Sequence, residues 1–143
     1  MPRQTPFGYA RNTLTINCPF TGHLDGTGAY NLIVSKTLGY ACELERVEVV
    51  TTVVGTGTSA SKPMSVRKGS ATGTVCGSIT PNLSNQGTIA AVLAGTVTTA
   101  AGANLFLDTD TLSVTFDTGA ATAFTAGGFD LLLTLRTRLQ RAA

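Results

Sequence analysis

Three aspartates late in the chain are the first residues whose spacing could bind a metal. Asp108 and Asp110 alternate as at the start of a calcium loop, and Asp117 follows them. The glycine and glutamate that complete an EF-hand loop are replaced by Ser113 and Gly119. Because Asp side chains also accept hydrogen bonds from local backbone N–H groups, Asp108 and Asp110 are interpreted as turn residues leading into a strand at 111. We expect no metal site.

A second acidic group consists of Glu43, Glu45 and Glu48, with Arg46 among them. Paired carboxylates can act as acid and base in glycoside hydrolysis, but only where the fold sets their separation. With an arginine inside the group, we interpret this segment as a solvated face or a subunit salt bridge.

Nucleophilic chemistry has few candidates. Cys18, Cys42 and Cys76 lie far apart without the paired spacing of zinc ligands, and His23 is the only histidine. We therefore expect reduced thiols that act as small apolar side chains. No ordered triad surrounds His23, and no phosphate-binding glycine motif is present. The sequence thus predicts a protein that is not an enzyme, with no cofactor and no small-molecule substrate.

Composition points to a protein that assembles with others. The chain has 143 residues, only 13% of them charged, and a net charge of +2; the usual charged share is about 25%. Basic residues do not form a stripe and Trp is absent, so no nucleic-acid partner is expected. No apolar run is long enough for a membrane helix and the N-terminus has no apolar core region, so we expect no membrane partner and assembly in a cytoplasm.

The elements that position these residues are β-strands. Apolar and polar residues alternate through the chain, and Gly, Asn and Asp punctuate the alternation. Eight strands are predicted at 12–18, 29–36, 40–54, 62–69, 72–80, 88–98, 111–117 and 128–139. The alternation changes phase within 40–54, which predicts a β-bulge near Glu45–Val47. Part of 88–98 fits a short strand or a single helical turn equally well.

These strands predict an all-β, single-domain antiparallel β-sandwich of jelly-roll type with about eight strands, over residues 12–143. The alternative is an immunoglobulin-like sandwich, whose Cys–Trp–Cys signature this chain cannot form because it has no Trp. Residues 1–11 are predicted to be an N-terminal arm, which either docks on a neighbour or hangs as a loose tail.

Five residues are predicted to contact partners. Arg136 and Arg138 share a strand face opposite the apolar residues of the last strand, which predicts either a wet outer face or a contact with an acidic patch on a partner. The arm adds two aromatic residues and one more arginine. The predicted contact residues are Phe7, Tyr9, Arg11, Arg136 and Arg138.

Three segments carry a resemblance to a known family. They are Cys18-Pro19-Phe20-Thr21-Gly22, the run Asp108-Thr109-Asp110-Thr111-Leu112-Ser113-Val114, and the alternating strand from Phe129 to Arg138. Over residues 12–139 the chain resembles the small jelly-roll decoration (cement) proteins of tailed bacteriophage capsids. It departs from the family where the common Gly-Asp before the late strand is Thr109-Asp110.

The resemblance implies a structural virion protein that sits on the outer capsid surface, as a homotrimer at three-fold positions, and braces the major capsid protein. The alternative function is a head-fibre or tail-associated module that binds a receptor or carbohydrate. Jelly rolls serve both roles, so the fold does not decide between them.

Overall fold

The computed structural model describes residues 13–21, 32–116 and 124–138, with side chains from residue 37 onward. The predicted arm, residues 1–11, lies outside the described residues. Ten strands lie in the described ranges: β1 (Thr13–Thr21), β2 (Leu32–Thr37), β3 (Cys42–Thr56), β4 (Met64–Lys68), β5 (Thr74–Ile79), β6 (Val92–Ala94), β7 (Thr96–Val97), β8 (Leu105–Phe106), β9 (Thr111–Phe116) and β10 (Ala126–Thr137). A single 3-10 turn at Ala100–Gly102 is the only helical segment in those ranges.

The strands form two antiparallel sheets. Sheet A has the order β1-β10-β3-β6, with β8 also paired to β3, and sheet B has the order β2-β9-β4-β5-β7. If the two-residue strands β7 and β8 are left out, eight strands remain, of which β9 is the seventh and β10 the eighth in chain order. In this numbering sheet A has the order 1-8-3-6 and sheet B has the order 2-7-4-5. This is the order of a jelly roll, so the predicted all-β sandwich is confirmed.

The core lies between the sheets and follows the two-residue period of the strands. In β10, Phe129, Leu131, Leu133 and Leu135 are buried, and the residues between them form the outer face. Sheet B contributes Met64, Val66, Leu112, Val114 and Phe116 to the same core. The sheets pack tightly at Gly77 in β5, where an added Cβ would lie 2.9 Å from Val47 Cγ2 in β3.

Strand β3 contains the predicted bulge. Leu135 of β10 lies opposite Leu44, whereas Thr134 lies opposite Arg46, so Glu45 is the extra residue. The buried positions are Cys42 and Leu44 before the bulge, and Val47 and Val49 after it. The inward phase therefore changes from even to odd numbers at Glu45, and the prediction of a bulge near Glu45–Val47 is confirmed.

The ambiguous segment 88–98 contains a turn followed by two short strands. Ala90 in the turn has φ 64. β6 then pairs with β3 in sheet A, and β7 pairs with β5 in sheet B. Gly95 between them donates its N–H to the Val47 carbonyl at 2.7 Å, and an added Cβ would lie 2.5 Å from the Ser78 carbonyl oxygen. The chain passes from one sheet to the other at a point where only glycine fits.

Candidate interaction surface

The outer face of sheet A brings together several of the residues that the sequence singled out. Arg136 lies opposite Glu43 of β3 on one side and Thr13 of β1 on the other. Four residues along β10 from Arg136 and on the same face, Leu132 lies opposite Glu48. Two residues further along, Asp130 lies opposite Val50. This face therefore has a charged end and an apolar end.

Arg136, Glu43 and Glu45 form an ion-pair cluster at the charged end, the Arg136 cluster. The guanidinium of Arg136 lies 3.0 Å from Glu43 Oε2 through one nitrogen and 3.1 Å from Glu45 Oε1 through another. The bulge makes this double contact possible, because it adds Glu45 to the strand between Leu44 and Arg46. The hydrogen bond to Glu43, followed by the charge of Glu45, raises the pKa of Arg136 further above its usual value.

Asn104 fixes the cluster from the neighbouring loop. Its side-chain amide donates to the Leu44 carbonyl at 3.2 Å and to Glu43 Oε1 at 3.4 Å. Its backbone carbonyl accepts from the Leu44 N–H at 2.9 Å. Asn104 is buried, and its contacts take the place of a paired strand beside the bulge. Sequence analysis did not single out this residue, because the contact joins segments about sixty residues apart.

The two other charged residues near this end are more exposed. Arg46 is 65% exposed, and its nitrogen lies 3.8 Å from Glu48 Oε1. Arg138 is exposed just beyond β10, where its N–H donates to the Ala41 carbonyl. Of the five predicted contact residues, the structure thus places Arg136 in the cluster and Arg138 at the surface. Phe7, Tyr9 and Arg11 lie outside the described residues, and a contact role for all five stays a prediction.

The apolar end of the face is formed by Val50, Val53, Val92 and Leu132, which we call the sheet A patch. Val92 is 62% exposed and Val53 is 52% exposed, whereas Val50 and Leu132 are half-buried. Val92 lies directly opposite Val50 in the β3–β6 pair, so both side chains lie on the same face.

Gly128 of β10 has no side chain, and Val53 at the edge of the patch packs into the space beside it. An added Cβ at Gly128 would lie 2.9 Å from Thr52 Oγ1 and 3.3 Å from Val53 Cγ2. Sequence analysis did not predict the patch, because Val50 and Leu132 are separated by more than eighty residues in the chain. The alternation showed which positions face outward but not which of them are neighbours.

The outer face of sheet B has a different chemistry. Ser65, Ser113 and Thr115 lie on this face and are nevertheless buried. Arg67 lies across them, with Nε donating to Thr115 Oγ1 at 3.0 Å and a terminal nitrogen donating to the Gly73 carbonyl at 3.0 Å. The outer face of sheet B therefore carries buried hydroxyl groups, whereas that of sheet A carries exposed valines.

The other candidate residues have local structural roles. Asp110 Oδ2 accepts a hydrogen bond from the Leu107 N–H at 2.8 Å, which confirms its interpretation as a turn residue. Cys42 and Cys76 are free thiols buried in the core, as expected for small apolar side chains. Burial, the largest cause, raises the pKa of Cys42 to about 11 and that of Cys76 to about 12. Asp117, His23 and the side chain of Cys18 lie outside the described residues.

Among the described residues, no three His, Cys, Asp or Glu side chains are grouped closely enough to hold a metal ion. Within those ranges, no helix has the length and hydropathy needed to span a bilayer. Comparison of the chain with protein-family models, curated proteins and solved structures gave no match. The family resemblance seen in the sequence therefore stays a prediction.

Proposed function

We propose that this chain is a structural virion protein, a capsid decoration (cement) protein that binds the outer surface of a bacteriophage head and stabilises it. The observation that carries the proposal is the outer face of sheet A, where exposed valines lie beside a charged end on a jelly roll. The sequence resemblance supplies the identity of the partner, the major capsid protein.

The proposed mechanism is burial of apolar area across neighbouring shell subunits. Apolar surface removed from water contributes about 25 cal/mol per Å², before the cost of association is subtracted. A homotrimer presents the same surface three times, so weak individual contacts combine through avidity. Arg46 and Arg138, both exposed, are positioned to meet acidic groups on the shell.

Reconstitution on heads that lack the protein tests this proposal. Heads purified from a phage deleted for this gene are mixed with the full-length chain, and occupancy is measured by gel densitometry and electron microscopy. We expect saturable binding to expanded heads and a higher temperature of head disruption. Absence of the chain from purified particles, together with no binding to expanded heads, would overturn the proposal.

Two charge variants refine the test. Arg138→Glu reverses a charge on an exposed side chain, whereas Arg138→Lys keeps it. If this arginine faces an acidic patch on the shell, the first variant binds heads at least tenfold more weakly and the second binds normally. Clear hits on a glycan array, with no binding to heads, would instead favour the receptor- or carbohydrate-binding module.

A further inference from the structure

Charged residues border the sheet A patch and restrict which kind of segment can bind it. Asp130 lies directly opposite Val50, and Glu48 lies one row away, opposite Leu132. On this outer face the described residues include four carboxylates (Glu43, Glu45, Glu48 and Asp130) and two arginines (Arg46 and Arg136). A binding segment should therefore combine apolar side chains with positive charge and contain no acidic residue.

The first twelve residues of this chain have that composition. They contain Arg3, Phe7, Tyr9 and Arg11 and no Asp or Glu. All four occupy odd positions, so in an extended segment they lie on one side, with the two aromatic residues between the two arginines. The segment therefore has two aromatic residues flanked by positive charges, which is complementary to an apolar patch bordered by carboxylates.

We propose that the sheet A patch binds the N-terminal segment, residues 1–12, of a second copy of this chain. Phe7 and Tyr9 pack on Val50, Val92 and Leu132, while Arg3 and Arg11 pair with the bordering carboxylates. The inference does not rest on the proposed function, because it concerns how copies join one another in the absence of a shell.

Chain geometry favours a second copy over the same copy. Sheet A begins at Thr13, opposite Arg136, whereas Val92 lies level with Asp130, six residues further along β10, and three strands across the sheet. At about 3.4 Å per residue and 4.8 Å per strand, the path over the sheet is about 25 Å. Tyr9 is four residues before Thr13 and reaches at most about 14 Å, and Phe7 reaches about 20 Å. The Cα atoms of both residues therefore fall short of Val92 of their own chain, and Tyr9 falls short by more than the length of its side chain.

The arrangement also has a consequence for symmetry. A segment of one copy on the face of the next is a heterologous contact, which closes into a ring when the rotation between copies allows it. Each copy then donates one segment and receives one. A cyclic assembly of this kind covers every patch while no shell is present, so a shell subunit that binds the same valines must displace the segment.

Disulfide trapping between two differently tagged full-length chains tests the inference. One chain carries Tyr9→Cys and the other Val92→Cys, both in a Cys18→Ala background that leaves the buried Cys42 and Cys76 as the remaining native thiols. We expect a mixed disulfide at twice the 14.7 kDa chain mass on mild oxidation. The matched control replaces Val92→Cys with Leu107→Cys, because Leu107 is similarly exposed at 56% and lies outside the patch.

Every outcome of the trapping experiment is informative. A crosslink to the Val92 position that exceeds the Leu107 control supports the inference. Equal yields at the two positions, or no mixed product, overturn it. A chain carrying Tyr9→Cys and Val92→Cys together that crosslinks within a single copy overturns it as well, because the segment then binds its own face.

A second measurement introduces a negative charge into the patch and needs no oxidation. Light scattering after size exclusion should show that Val92→Asp weakens self-association at least tenfold, whereas Leu107→Asp leaves it unchanged. Both side chains are more than half exposed, and equal melting temperatures confirm that the variants fold. Since no heads are present, failure here leaves the proposed function standing, and failure to bind heads leaves this inference standing.

Discussion

The two buried thiols show how environment determines the chemistry of a residue. Cysteine reacts as the thiolate, and Cys42 and Cys76 lie in the core with pKa values of about 11 and about 12. The Cys76 Sγ also donates to the Val66 carbonyl at 3.2 Å, which holds the thiol in its neutral form. At neutral pH these groups therefore contribute packing.

The raised thiol pKa values predict a loss of stability in alkali. In the folded state the pKa of each thiol lies above its ordinary value of 9.0, so the unfolded state loses its protons first. The stabilisation is fully present below pH 9 and is lost as the pH rises from 9 toward 11 for Cys42 and toward 12 for Cys76. Cys76 contributes a slope approaching about 1.4 kcal/mol per pH unit, and Cys42 adds less.

Urea denaturation at pH 8 and pH 10.5 measures this effect. The wild type should lose more stability between the two values than a Cys42→Ala/Cys76→Ala variant, although the variant is less stable at both. The pKa of Tyr40 is raised first by burial and second by the charge of Cys42, so the difference between the two proteins also includes the part of the Tyr40 shift that Cys42 causes. Identical pH dependence in the two proteins would contradict the assignment.

Ala90 is an alanine in a conformation that favours glycine. Its φ of 64 lies in the left-handed region, which costs a residue with a Cβ about 1–2 kcal/mol. We expect Ala90→Gly to increase the free energy of unfolding by about 0.5–1 kcal/mol, since the greater freedom of glycine in the unfolded chain offsets part of the gain. The matched control is Ala94→Gly in β6, which should destabilise. Chemical denaturation that shows equal losses for both would contradict the prediction.

At the scale of elements, the strand pattern was predictable and its pairing was not. Each of the eight predicted strand segments overlaps a strand, and the phase change within 40–54 predicted a bulge near Glu45–Val47, where Glu45 is the extra residue. These features depend on neighbours in sequence. β8, the contacts of Asn104 and the closeness of Val50 to Leu132 depend on residues distant in the chain, so alternation alone could not predict them.

Gly95 gives the sharpest test of how the elements join. Its position between β6 and β7 places it against both sheets, where an added Cβ would lie 2.5 Å from the Ser78 carbonyl oxygen in sheet B and 3.2 Å from the Val47 carbonyl oxygen in sheet A. Backbone on both sides prevents relaxation, so Gly95→Ala should lower the free energy of unfolding by roughly 2–4 kcal/mol.

Gly87→Ala is the control for Gly95→Ala. The same Cβ at Gly87 would make only ordinary contacts, at 3.6 Å from the Leu83 carbonyl oxygen and 3.7 Å from the Ser84 carbonyl oxygen. Thermal and urea unfolding of the two variants should therefore differ clearly, with Gly87→Ala close to the wild type. Equal stability of the two variants would contradict the close packing of both sheets against Gly95.

At the scale of the whole molecule, the two outer faces of the jelly roll differ in their chemistry. Strand β10 lies between β1 and β3 in sheet A, so the strand that carries Arg136 and Leu132 is held on both edges. A docking surface on such a strand is pre-organised, which reduces the ordering cost of binding. The buried hydroxyls of sheet B, with Arg67 across them, leave less apolar surface for a partner.

Native-state hydrogen exchange measures this rigidity directly. Amides within residues 44–50 of β3 and 129–135 of β10 should exchange only through global unfolding, because they are paired in the sheet and border the core. Amides in the turn at 88–90 and in the turn at 107–110 should exchange through local opening, faster by a factor on the order of 10³ or more. Equal exchange in the two sets would mean that the platform beneath the sheet A patch is itself mobile, and that a partner must order it on binding.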